Sequence, residues 1–244
     1  MRLESYSQLR LAPIRETILV LERRIEERFP GSGLSRVAAE LLRLADQNEG
    51  IVNYLRRPRS WVRVLTTIAI GAIIALVLWA VMTVIRMAAR GVGNVADLLQ
   101  GIDAATSELI FLSLVVLFLA SLENRLKRRT ALGMLHRLRS IAHVVDMHQL
   151  TKDPSYSFQP VAATASSPTR TLTPEQLTRY LDYCSELLSL TSKLAALHAQ
   201  YLQDPVLLAA VNEIESLTDG LSRKIWQKIS IIDAAYAKSE KSEV

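Results

Sequence analysis

The chain is 244 residues long and carries a formal net charge of +5. Half of its residues are hydrophobic and 22% are charged, giving a mean hydropathy of +0.19; this suits an apolar membrane segment joined to solvated helices better than an ordinary soluble protein. The single cysteine, Cys184, excludes an internal disulfide and a multi-cysteine zinc site and fits a reducing compartment.

Only 9 Gly and 8 Pro are present, and β-branched residues gather in apolar runs without alternating. The expected fold class is therefore all-α: a two-pass transmembrane helical hairpin with cytoplasmic helical hairpins at both ends, packed as a bundle. The N-terminal residues lack the continuous apolar core of a secretory signal, so the first apolar run is expected to direct insertion.

Pro13 suits a first helical turn, and Ile14, Ile18, Leu21, Ile25 and Phe29 follow at steps of three and four among charged residues. Pro30-Gly31-Ser32-Gly33 ends this amphipathic helix. These glycines are not a phosphate-binding loop, because no strand precedes them and the lysine-serine/threonine end is missing. A second helix over about 34–55 aligns Leu34, Ala38, Leu41, Ala45, Asn48, Val52 and Leu55 on one stripe. Packing on the first helix as a hairpin is the economical arrangement.

Arg56, Arg57, Arg59 and Arg63 surround Pro58 and Trp61 immediately before the longest apolar run. Pro58 favours a break, and Trp61 is placed for the headgroup level. Val64–Ile85 contains no charged residue and is close to the length needed to cross roughly 30 Å of hydrocarbon. No face of it is polar, so it reads as a membrane span. Arg86 and Arg90 follow, balanced by Asp97 and Asp103. Gly91 and Gly93 loosen the chain there, and Val95, Leu98, Leu99 and Ile102 read as a short amphipathic turn on the outer surface.

The second apolar run, Leu109–Leu122, is short for a span, so 104–107 are expected to complete it, which brings Glu108 near its outer end. Arg125, Lys127, Arg128 and Arg129 lie just beyond. With four basic residues before the spans, two between and four after, the positive-inside bias places both termini in the cytoplasm or its equivalent, with a plasma or inner membrane as the location.

No proline interrupts the chain from Leu122 to Pro154, and Leu132, Leu135, Leu138, Ile141 and Val145 keep helical spacing. The second span is thus expected to continue into the cytoplasm, with a bend near Gly133. Pro154, Pro160 and Pro168 mark a Ser/Thr/Ala-rich linker. Thr173-Pro174-Glu175-Gln176 then carries a capping-box start, and Asp204-Pro205 restarts a last helix expected to fray after about Ala237. The expected organisation is 1–57, an N-terminal hairpin; 58–122, the membrane hairpin with spans about 64–85 and 104–122; 123–153, the extension; 154–172, the linker; and 173–244, a C-terminal hairpin.

Few residues are arranged for chemistry. His143 and Asp146 share a helix face at i,i+3, but His148 lies about 140° round from His143 and His136 is two turns away. Helix-end and surface roles fit these better than a metal site. Cys184 reads as a buried small hydrophobe and His198 as a satisfied core histidine. Tyr180, Asp182 and Tyr183 lack a nucleophile–base pattern. Glu108 is the acid of interest, since an ionisable residue inside a span is costly and often functional. Gly71 and Ala75 form a weak small-xxx-small pair.

No catalytic residue, cofactor or metal is assigned, and the protein is not expected to be an enzyme. The basic excess is not matched by a nucleic-acid motif, so nucleic acid is not an expected partner. The expected partners are the lipid bilayer and, through the cytoplasmic helices, a second copy or another protein. The expected function is a scaffold or accessory subunit; the alternative is a subunit of an oligomeric ion channel or transporter with Glu108 in its pore.

Overall fold

The computed structural model describes residues 8–56, 60–89, 95–154, 165–166 and 172–242. Among the described residues the protein is helical throughout, with no strand. The helices are α1 (Leu11–Arg28), α2 (Gly33–Arg56), α3 (Ser60–Ala89), α4 (Val95–Leu150), α5 (Pro174–Tyr201) and α6 (Pro205–Ser242). They divide into two compact units, Met1–Arg56 with Thr130–Val244 and Arg57–Arg129; α4 belongs to both.

In the first unit the apolar stripes meet. α1 buries Ile14, Ile18, Leu21 and Ile25, and its end closes through the Phe29 N–H on the Ile25 carbonyl at 2.8 Å. The chain then turns at Gly31, whose φ of 65° is left-handed and strained for any side chain with a Cβ. Ser32 Oγ accepts the Ser35 N–H at 3.1 Å and so caps the start of α2. Arg15 of α1 pairs with Asp46 of α2 at 2.5 Å, which fixes the two helices antiparallel.

α5 is the most enclosed helix. Its buried positions include Leu181, Cys184, Leu187, Leu188, Leu194 and His198, more than a single narrow stripe, so neighbours cover it on several sides. It packs against α6, α1 and α2. Phe29 meets Tyr180 edge-on at 5.3 Å, whereas Arg56 reaches the Tyr201 hydroxyl at 2.9 Å, so α2 and α5 run in the same direction. Residues from Ala131 to Val145 of α4 complete the same core, together with Leu207, Val211, Ile214, Ile225 and Ile232 of α6.

The capping box at α5 is formed: Gln176 N–H donates to Thr173 Oγ1 at 3.2 Å, and Thr173 N–H donates to Gln176 Oε1 at 3.0 Å. At α6, Asp204 Oδ1 accepts from the N–H groups of Val206 and Leu207.

Among the described residues the second unit has no comparable core. Val64–Thr83 of α3 and the apolar stretch of α4 that begins at Leu99 are each long and apolar enough to cross a membrane. Their large side chains are exposed, with Leu78 64%, Trp79 67%, Phe111 67% and Leu117 65% accessible.

α3 contains the first apolar run and extends beyond it at both ends. Two expectations need correction. The separate surface turn expected at 95–102 is instead the first part of α4, because only Gly101 weakens that stretch and one helical glycine costs just about 1 kcal/mol. α4 runs unbroken through Gly133 to Leu150. Polar residues after Ala237 do not end α6, which continues to Ser242 as Ala, Lys and Glu are good helix formers. Pro58, Gly91, Gly93, Pro160 and Pro168 lie outside the described residues.

Candidate functional site

The residues from His143 to Lys152 are the place where sequence chemistry and tertiary contacts coincide. The histidines and Asp146 of this stretch have separate surroundings. His143 and His136 are exposed on the outer face of α4. Asp146 Oδ1 accepts from Gln149 Nε2 at 2.6 Å. His148 turns elsewhere, with its ring against Gly33 at the start of α2, leaving no room there for a Cβ. Among the described residues, no group of three His, Cys, Asp or Glu side chains is arranged to hold a metal ion.

The end of α4 is held by contacts that spacing alone did not reveal. Lys228 of α6 donates from Nζ to the Gln149 backbone carbonyl at 2.7 Å and to Gln149 Oε1 at 2.6 Å. The same carbonyl accepts the Lys152 N–H at 3.1 Å, so two donors close the last turn of the helix. Burial holds the Lys228 ammonium below the usual lysine range, while Asp153 and Asp146 act in the opposite direction. Lys152 Nζ lies 5.3 Å from the centroid of the Tyr180 ring, a cation–π contact. Burial raises the Tyr180 hydroxyl above the usual tyrosine range. The only sequence signals for this arrangement were a glycine opening α2 and a lysine on the border of the α6 stripe.

Burial pushes the Cys184 thiol up to about 12, only partly opposed by Lys228 and Lys152. That is the inert environment of a core cysteine. His198 is wholly buried, and burial pushes it down to about 4. The expectation of a satisfied histidine is corrected: neither ring nitrogen has a hydrogen-bond partner among the described residues. The side-chain amide of Asn48 is equally buried and equally unpartnered. The sequence placed both on apolar stripes, but the partners on facing helices are a tertiary property.

A shallow cleft of about 510 Å³ between α1 and α5 is lined by Arg24, Glu27, Arg28, Arg179 and Tyr183. Its cations are partly occupied, Arg24 with Glu186 at 3.1 Å and Arg179 facing Asp182 at 3.5 Å. It contains no nucleophile–base pair.

Of the residues flanking the apolar runs, Arg56 stacks on the Tyr201 ring, 4.7 Å from its centroid. Arg57 and Arg59 lie outside the described residues. Trp61 and Arg63 fall in the opening turns of α3. Lys127 pairs with Glu123 at 2.8 Å, Arg125 and Arg129 are exposed, and Arg128 is half-buried. Glu108 is exposed on the apolar part of α4. No family model, curated protein or solved structure matches the chain.

Proposed function

We propose that the chain is an integral membrane protein whose α3 and apolar α4 segment form a two-pass hairpin, anchoring a cytoplasmic helical bundle that associates with itself or with another protein. The observation that carries this reading is the exposure of Val64–Thr83: a helix without a charge, none of it buried within the protein. Exposed apolar patches of that extent are unstable in water and are the normal surface of a helix in lipid. Arg56, Arg57, Arg59 and Arg63 precede the apolar pair and Arg125, Lys127, Arg128 and Arg129 follow it, which supports a cytoplasmic location for both termini.

The reading predicts that the full chain, extracted in a mild detergent and weighed by native mass spectrometry, retains a second copy or a protein partner. A strictly single, partner-free chain at every concentration contradicts the association half of the proposal.

One observation favours a second reading. Glu108 is exposed on the same apolar part of α4 as Phe111, Leu114 and Leu117, an expensive place for a carboxylate unless it faces a water path or a polar neighbour. Liposome conductance with an ion selectivity that changes in Glu108→Gln assigns the protein to a ring-forming channel; liposomes that stay silent remove that reading.

A further inference from the structure

The contact of His148 with Gly33 has a chemistry that neither an anchor nor a pore requires. The imidazole occupies the place a Cβ would take on Gly33, the first residue of α2. Here the α2 backbone presents the positive end of its dipole, its first turn being capped by Ser32. Such a surface accepts a neutral ring and disfavours a cationic one. We propose that His148 is an acid-sensitive latch: its uncharged ring, seated on Gly33, holds the last turn of α4 against the α1–α2 turn, and protonation of the ring releases that turn.

The surrounding charges point the same way from each packed element. Arg36 from α2 and Lys152 from the residues after α4 both act on the ring, and both are cations. The carboxylate of α1 at this turn, Glu26, is engaged elsewhere, accepting from the Ser35 hydroxyl and from the Gly31 N–H at 3.3 Å. On α4 itself, Asp146 is engaged by Gln149. On α6, Lys228 is bound to Gln149 and is the cation on which Asp146 and Asp153 act. On α5, Tyr180 sits beneath Lys152. A proton on His148 would thus add a positive charge to a ring already acted on by the two cations Arg36 and Lys152.

Burial, reinforced by Arg36 and Lys152, holds the docked ring below the usual histidine range. The undocked ring therefore takes up a proton first as pH falls. Docking is complete above the ordinary histidine value and is lost on acidification toward the lowered value of the docked ring.

Hydrogen exchange of the full chain in detergent, compared at about pH 7.5 and about pH 5.2 after correction for intrinsic rates, tests the latch. Exchange across 146–152 is expected to rise several-fold in the native chain at the lower pH. His148→Gln, which cannot charge, is expected to remain protected at both. Gly33→Ala, which displaces the ring, is expected to be unprotected at both. His198 stays neutral at that pH, since it titrates near 4. Unchanged exchange in the native chain, or an acid step that survives in His148→Gln, overturns the proposal. A variant-free reading comes from NMR of labelled histidine rings: His148 must titrate below its ordinary value of about 6.5, and titration at or above that value also overturns it.

Discussion

Asn48 and His198 place four polar atoms in a core that gives them no partner among the described residues. For a histidine this has a sign. Its folded value near 4 lies below the ordinary 6.5, so the unfolded chain binds the proton first. Stability is full above about pH 6.5 and falls as pH drops toward 4, by about 3 kcal/mol at the limit. His198→Leu is expected to remove that acid loss and to leave stability at neutral pH equal or higher, because an unsatisfied buried polar group is replaced by an apolar one. Thermal unfolding of the full chain in detergent at pH 7 and pH 4 checks this; an equal acid loss in His198→Leu contradicts it. Cys184, deep in the same core, shows the milder side of burial, where a thiol is kept protonated and no partner is needed.

At the scale of the helix, local chemistry was legible and tertiary placement was not. Thr173, Pro174 and Gln176 announce a helix start by residue type alone, and both reciprocal hydrogen bonds are present. Replacing Thr173 with Ala leaves the Gln176 N–H without its side-chain acceptor, so Thr173→Ala is expected to lower the stability of the helical unit by about 1 kcal/mol. A matching fall in the unfolding midpoint checks it; an unchanged midpoint does not fit. The apolar stripes of α1 and α5 were equally readable, because steps of three and four need only the sequence. What sequence could not supply was the neighbour across the stripe. Gly33 against His148 and Lys228 on Gln149 join residues more than seventy positions apart. The expected turn at 95–102 failed for another reason: a weakly amphipathic stretch beside an apolar one continues its helix unless a breaker intervenes, and Gly101 alone is too weak.

For the molecule as a whole, two kinds of surface are present on one chain. One unit buries its leucines and isoleucines around α5, with most polar groups outward. The other exposes Ile68, Leu78, Trp79, Phe111 and Leu117 and has no such core. In the proposed reading the solvent of the second unit is lipid, since a helix satisfies its own backbone polar groups and needs only an apolar exterior there. The flanking charge supports the proposed orientation. This central claim is tested most directly by the sidedness of three single-cysteine sites in a Cys184→Ser background: Ser7→Cys, Asn94→Cys and Ser242→Cys. In sealed, right-side-out vesicles treated with a membrane-impermeant maleimide, the account predicts labelling of Asn94→Cys alone, with the two end sites reacting only after the vesicles are opened. Labelling of all three sites before opening, or release of the protein from the vesicles by alkaline carbonate, contradicts it.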